Sequence, residues 1–141
     1  PPGLCEAVRA CLELVRTRGV LASVGPESAV LVHRDFQFRN VLAADGHLSG
    51  VLDFDKAEAG DPARDYAVLY PGDVALVREG YEERRLGALG ERFRERLSVY
   101  RLLGALERLW HDEEAGRVSS RAQTYAEIRR LAAALSSEPA G

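Results

Sequence analysis

"LVHRDFQFRNVL", residues 31–42, decides how this chain is read. His33, Asp35 and Asn40 stand close together in it, with Arg34, Arg39, Phe36 and Phe38 between and around them. A solvated turn needs only small or amide side chains that hydrogen-bond locally. A histidine, two arginines and two phenylalanines in one loop ask for another explanation. The segment before it, "SAVLVH", is short, apolar and β-branched and predicts a strand ending at His33. The segment after it, "NVLAADGHLSGVLDFD", predicts a β-hairpin. Val41 to Ala43 form one arm, Asp45-Gly46 the turn, and Leu48 to Phe54 the other arm. Such a hairpin folds Asp53 back beside the loop.

Outward from this block the chain reads as helical. Leu4, Val8, Cys11, Leu12 and Val15 recur at helical spacing, and Gly19 follows as a stop, so a helix is predicted over 4–18. "GDPARDYAVLY" predicts a helix start, with Asp61 as cap and Pro62 in the first turn. Further helices are predicted from Val74 to about Leu86, Glu91 to about Glu113 and Ser120 to about Leu135. The apolar face of the long one carries Val99, Leu102, Leu103, Leu106, Leu109 and Trp110. In the last one, Tyr125, Ile128, Leu131, Ala132 and Leu135 face inward. Trp110 and the helical tyrosines read as core, and the tail "SSEPAG" as frayed. Gly87 and Gly90 lack the strand-to-helix setting of a phosphate loop.

Composition bounds the function. The 141 residues are the size of one domain, with 46% apolar and 29% charged residues. A net charge of -3 gives no case for nucleic acid or an acidic membrane surface. Lys56 is the sole lysine beside abundant arginine, a bias better explained by genome composition than by a nucleic-acid footprint. No stretch is apolar enough to span a membrane. Cys5 and Cys11 point to different sides of the predicted helix, so reduced thiols and a cytoplasmic setting are expected. The chain contains no methionine and opens "PPGLCEAV", which leads us to expect a piece of a longer protein.

The polar block has a chemistry that would use it. Phosphoryl transfer from a nucleotide needs a group that orients the attacking hydroxyl and takes its proton, and oxygen ligands that hold Mg²⁺ on the phosphates. Mg²⁺ keeps several waters and takes few protein oxygens. Asp35, Asn40 and Asp53 would meet these needs.

"HRDFQFRN" followed by "GVLDFDKAEAGDPARDYA" resembles the catalytic core of the aminoglycoside phosphotransferase and choline kinase family. These are small-molecule kinases with a protein-kinase-like fold. The family pattern is H-x-D-x-x-x-x-N, then a strand ending in a metal-binding Asp, then a G-D-P-x-x-D-x-A helix start. All three occur here in order, within Leu31 to Ala67. The resemblance implies an α+β, mainly helical fold, the C-terminal catalytic lobe of such a kinase, with a small hairpin carrying the site. It implies transfer of the γ-phosphate of ATP or GTP to a hydroxyl of a small molecule, with Mg²⁺. Asp35 would be the catalytic base, and Asn40 and Asp53 the metal ligands. His33 would brace the loop, Asp65 would hydrogen-bond it from the following helix, and Asp61 would cap that helix. Arg34 and Arg39 read either as loop supports or anion contacts, or as inert solvated residues. Asp55, two residues after Asp53, would contact metal or substrate or end the hairpin in solvent.

The phosphate-covering loop and the strand lysine of a complete kinase are not found, and Lys56 follows the catalytic loop, the wrong place for that lysine. One 141-residue domain without its N-terminal lobe is therefore expected, inactive alone, with an apolar patch near the chain start or hairpin through which it could form a homodimer. Two other readings stay open: a non-catalytic kinase-like binding module or pseudokinase remnant, and a haloacid dehalogenase-type phosphatase. The second rests on the D-x-D of "VLDFDKAEA". It wants Thr or Val where Ala57 stands, and a parallel βαβ order around the motif.

Overall fold

The computed structural model describes residues 4–23, 29–83, 89, 92–117 and 121–137. They are mixed α+β and mainly helical, and the chain divides into two compact units. One comprises Pro1–Ser23 and Arg94–Gly141, the other Val24–Phe93.

The first unit is built by apolar periodicity. Helix α1 (Leu4–Arg18) closes at Gly19, whose φ of +58° is the left-handed conformation that ends helices at little cost. Helices α4 (Phe93–Glu114) and α5 (Arg121–Ser137) complete it, and α1 packs against α5. Val20, Val99, Leu102, Ala105, Ile128, Leu131, Ala132 and Leu135 form the core, with Val8, Val15, Leu106, Leu109 and Tyr125 packed around it. Trp110 departs from expectation. It lies at the edge of the α4 stripe, 59% exposed, beside the His111 ring, and is not core. Leu103 is also exposed. Cys5 is exposed and free, while the Cys11 side chain, Gly87, Gly90, residues 84–86 and the tail 138–141 lie outside the described residues.

The second unit carries all the strands. β1 (Val30–Val32) pairs antiparallel with β4 (Glu58–Gly60), in the register Val30↔Gly60 and Val32↔Glu58. β4 has weak strand propensity and was not anticipated. It exists because β1 offers it a partner, and because Gly60 lets the backbones approach. A Cβ there would meet Val32 Cγ2 at 3.2 Å, and Val32 is fully buried.

β2 (Val41–Ala44) and β3 (His47–Val51) form the hairpin, with a register shift between Leu42 and Ala43. Asp45 and Gly46 both have positive φ, the requirement of a two-residue I′ turn. The second arm stops at Val51, short of the expected Phe54, because Asp53 turns left-handed at φ +68°. Both sheets among the described residues are antiparallel, unlike the parallel βαβ setting that a haloacid dehalogenase-type phosphatase needs.

Helices α2 (Ala63–Ala67) and α3 (Pro71–Glu83) follow. Asp61 is buried, and its Oδ1 accepts the Ala63 N–H at 3.0 Å, the work of a cap. The Tyr66 and Phe93 rings meet edge to face at 5.3 Å. No helix among the described residues is long and apolar enough to cross a membrane.

Candidate active site

The loop after β1 is held from beneath by one carboxylate. Asp65, on α2, accepts the His33 backbone N–H at 2.9 Å and the Arg34 N–H at 2.7 Å. Two adjacent donors on one ionised acceptor make a strong grip. That grip offsets the left-handed conformation of Arg34, φ +67°, which costs a non-glycine residue about 1–2 kcal/mol. The Arg34 side chain reaches Glu58 Oε2 at 3.5 Å, and Glu58 also holds Arg64, so Arg34 ties the loop to β4.

His33 is buried, and its hydrogen bonds fix its tautomer. Its Nε2 lies 2.7 Å from the Leu52 carbonyl, which can only accept. Its Nδ1 accepts the Asp35 backbone N–H at 3.3 Å. The ring is therefore Nε2-protonated and uncharged on Nδ1, a strut between loop and hairpin. Phe54 packs on it at 4.5 Å and Phe36 at 6.1 Å. Phe36 from the loop and Phe54 from beyond β3 thus flank the histidine strut, while Phe38 is exposed.

Asn40 closes the loop. Its Nδ2 donates to the Asp35 carbonyl at 2.9 Å, and more distantly to Asp35 Oδ2 at 3.5 Å. Its backbone carbonyl accepts the Leu52 N–H at 2.8 Å. Leu52 is thus clamped on both sides, its C=O by His33 and its N–H by Asn40. The next residue, Asp53, is thereby fixed beside the loop. With Nδ2 committed, Asn40 Oδ1 has no hydrogen-bond partner among the described residues.

Asp53 is exposed, and its carboxyl is pushed above the ordinary range. The leading cause is a hydrogen bond shared with Asp55, followed by the charge of Asp55, desolvation and the charge of Asp35; Lys56 opposes them. Asp55 lies beyond the strand, exposed in a turn, close enough to raise the Asp53 carboxyl. Asp35 itself accepts from Gln37 Nε2 at 2.7 Å and pairs with Arg39 Nη2 at 2.8 Å. Gln37 was not singled out in the sequence. It meets Asp35 and Arg39 because the backbone turns at residues 35–37 and forms a 3-10 turn over Phe38–Asn40, which no local pattern announces.

These groups have the donor chemistry that a hard divalent cation takes. The donors are oxygens, from Asp53 and the free Asn40 Oδ1, and the mutual repulsion of Asp53, Asp55 and Asp35 is what a dication relieves. No group of three or more His, Cys, Asp or Glu among the described residues could hold a metal. An ion here would keep waters and take further ligands from a bound phosphate, the habit of Mg²⁺.

No curated protein and no solved structure matches the chain. A family model matches residues 5–106, which takes in α1, both sheets, the loop with Asp35 and Asn40, and most of α4. The chain belongs to the phosphotransferase enzyme family (APH).

Proposed function

We propose that this chain is the catalytic-loop and metal-binding half of a small-molecule kinase, which moves the γ-phosphate of ATP or GTP to a hydroxyl. One arrangement carries the reading. Asn40 is bound to Asp35 with its own side-chain oxygen free, and Asp53 follows Leu52, which His33 and Asn40 bind, near enough to Asp35 to feel its charge.

In this reading Asp35 receives the hydrogen bond of the acceptor hydroxyl, aims its oxygen at the γ-phosphorus and takes its proton as the bond forms. Asn40 Oδ1 and the Asp53 carboxylate hold Mg²⁺, which when bound neutralises charge on the phosphates. His33 and Asp65 keep these groups in register. The chain corresponds to the C-terminal lobe of a protein-kinase-like fold. The phosphate-covering loop and its lysine would come from residues outside it. Leu42 and Leu48 on the hairpin, and Leu52 and Phe54 beyond it, are exposed apolar side chains, and we place the contact with that other half there.

The test is a coupled assay of nucleoside diphosphate release on the gene product that carries this chain, run against aminoglycosides, sugars, amino alcohols and amino acids. Turnover is expected with at least one class, and it should drop by on the order of 10² or more in Asp35→Ala. The 141-residue chain by itself should turn over at background. Near-parental turnover in Asp35→Ala sinks the assignment.

A further inference from the structure

Both oxygens of the Asp35 carboxylate already accept hydrogen bonds. Oδ1 accepts from Gln37 Nε2 at 2.7 Å and from Arg39 Nη2 at 3.1 Å. Oδ2 accepts from Arg39 Nη2 at 2.8 Å and from Asn40 Nδ2 at 3.5 Å. An ionised carboxylate offers about four lone-pair sites. A hydroxyl that is to donate its proton to Asp35 competes with these donors for its oxygens.

The donors differ in how easily they leave. Asn40 is buried and anchored on the Asp35 carbonyl. Gln37 is a neutral partner, braced in turn by Arg39 Nη1 on its Oε1 at 2.8 Å. Arg39 fills two of the four positions, and its side chain is 62% exposed while that of Asp35 is 15% exposed. Arg39 is therefore the most solvent-exposed of the three donors on the base. An exposed ion pair is weak enough to be displaced at a cost of no more than about fivefold in affinity.

We propose that Arg39 is a displaceable cover on the base, a positioning residue that yields Asp35 only to a hydroxyl with binding energy of its own. The inference rests on the phosphotransfer reading above. A small-molecule acceptor makes contacts elsewhere and can spend them on moving the arginine. Water has no such contacts. The cover thus selects transfer over hydrolysis. In hydrolysis a water oxygen bonds to the γ-phosphorus as the bond to the β-phosphate oxygen breaks. The nucleoside diphosphate leaves with that electron pair, and the water's proton passes to Asp35 and on to solvent. With Arg39 in place that proton meets an oxygen already engaged in an ion pair.

The experiment measures phosphate release from Mg·ATP and Mg·GTP without any acceptor, on the gene product that carries this chain. Arg39→Gln should hydrolyse faster than the parent by up to about fivefold, the reach of an exposed ion pair. Arg39→Lys should fall between, because an ammonium cannot bridge both oxygens and Gln37 together. Asp35→Asn, and Asp35→Asn with Arg39→Gln, should sit at background. Structural damage lowers rates, so a rise separates a cover from a mere loop support. A rate in Arg39→Gln at or below the parent's, with Asp35→Asn at background, overturns the cover and leaves the phosphotransfer reading intact. A rise that survives in the double variant also overturns it. Parental hydrolysis in Asp35→Asn alone overturns the phosphotransfer reading itself.

Discussion

Two regions of this chain are stabilised by different physics. In the unit of α1, α4 and α5, the buried core is Val20, Val99, Leu102, Ala105, Ile128, Leu131, Ala132 and Leu135, all apolar. The helical unit also buries Arg96 and Thr124, and the unit of residues 24–93 also buries Val32, Ala63, Tyr66 and Leu69. In the latter, however, the loop, with His33 and Asn40 buried, is fixed by named hydrogen bonds from Asp65, His33 and Asn40. Apolar burial is non-directional and roughly proportional to area, so the helical unit should lose stability by degrees as side chains shrink. Directional bonds hold atoms to within a few tenths of an ångström, so the loop unit should lose function before it loses its fold.

The largest effect expected is on the apolar side. Leu102→Ala removes a fully buried side chain from α4 and should cost about 2–5 kcal/mol in denaturant unfolding. A cost under about 1 kcal/mol would show that the core repacks freely and that the contrast between the units is overdrawn. On the polar side the matching experiment is Asp53→Asn. Asn tolerates the left-handed backbone at φ +68° and keeps the size, so only the charge is lost. Turnover of the gene product should fall by on the order of 10² or more, with an unchanged or slightly raised unfolding midpoint because Asp53 sits among like charges. A large stability loss with retained turnover would reverse the comparison.

Asp65→Asn sharpens it. Asn keeps one acceptor for two backbone donors, and the left-handed Arg34 loses half of its support. The expected loss is about 1–3 kcal/mol, the penalty of an unsatisfied, partly buried donor. Hydrogen exchange should show it confined to the His33 and Arg34 amides. Protection lost equally across α4 and α5 would mean that the two units do not differ in the way argued.

What the sequence made legible follows the same division. The bounds of α1, the cap at Asp61, and the hairpin with its Asp45-Gly46 turn could be read because each depends on near neighbours. That His33 would brace the loop and Asp65 would hold it from α2 comes from the resemblance of the motifs, and the hydrogen bonds agree. β4 could not be read, since Glu58–Gly60 becomes a strand only by pairing with a partner nearly thirty residues away. Nor could the early end of β3, because nothing local announces that Asp53 will turn left-handed. Trp110 misled because a helical stripe has edges, and apolar type alone does not tell an edge from its centre. The Asp35–Gln37–Arg39 triangle needed coordinates, since three polar residues at alternate positions of a loop most often face solvent.

The smallest effect expected isolates the electrostatics of the loop unit. Asp53 holds its proton to higher pH when folded than when unfolded, mainly through the hydrogen bond and charge of Asp55. Between the ordinary aspartate value and the raised folded value, the folded state therefore binds more protons than the unfolded one. Stability then falls as pH rises through that window, because the slope follows the excess of protons on the unfolded chain, negative here. Above the window the full repulsion remains. Below it, protonated Asp53 relieves the repulsion. Asp55→Asn removes the partner, so it should flatten this part of the stability profile and gain slightly at neutral pH. The effect is modest because both side chains are exposed and screened by salt. Unfolding midpoints across the acidic range, without divalent cations, should show the parent declining relative to Asp55→Asn as pH rises. Adding Mg²⁺ should reverse that order near neutral pH, since the cation gains from the charge that the free protein finds costly. Parallel profiles with and without Mg²⁺ would mean that Asp53 and Asp55 share neither a proton nor a cation.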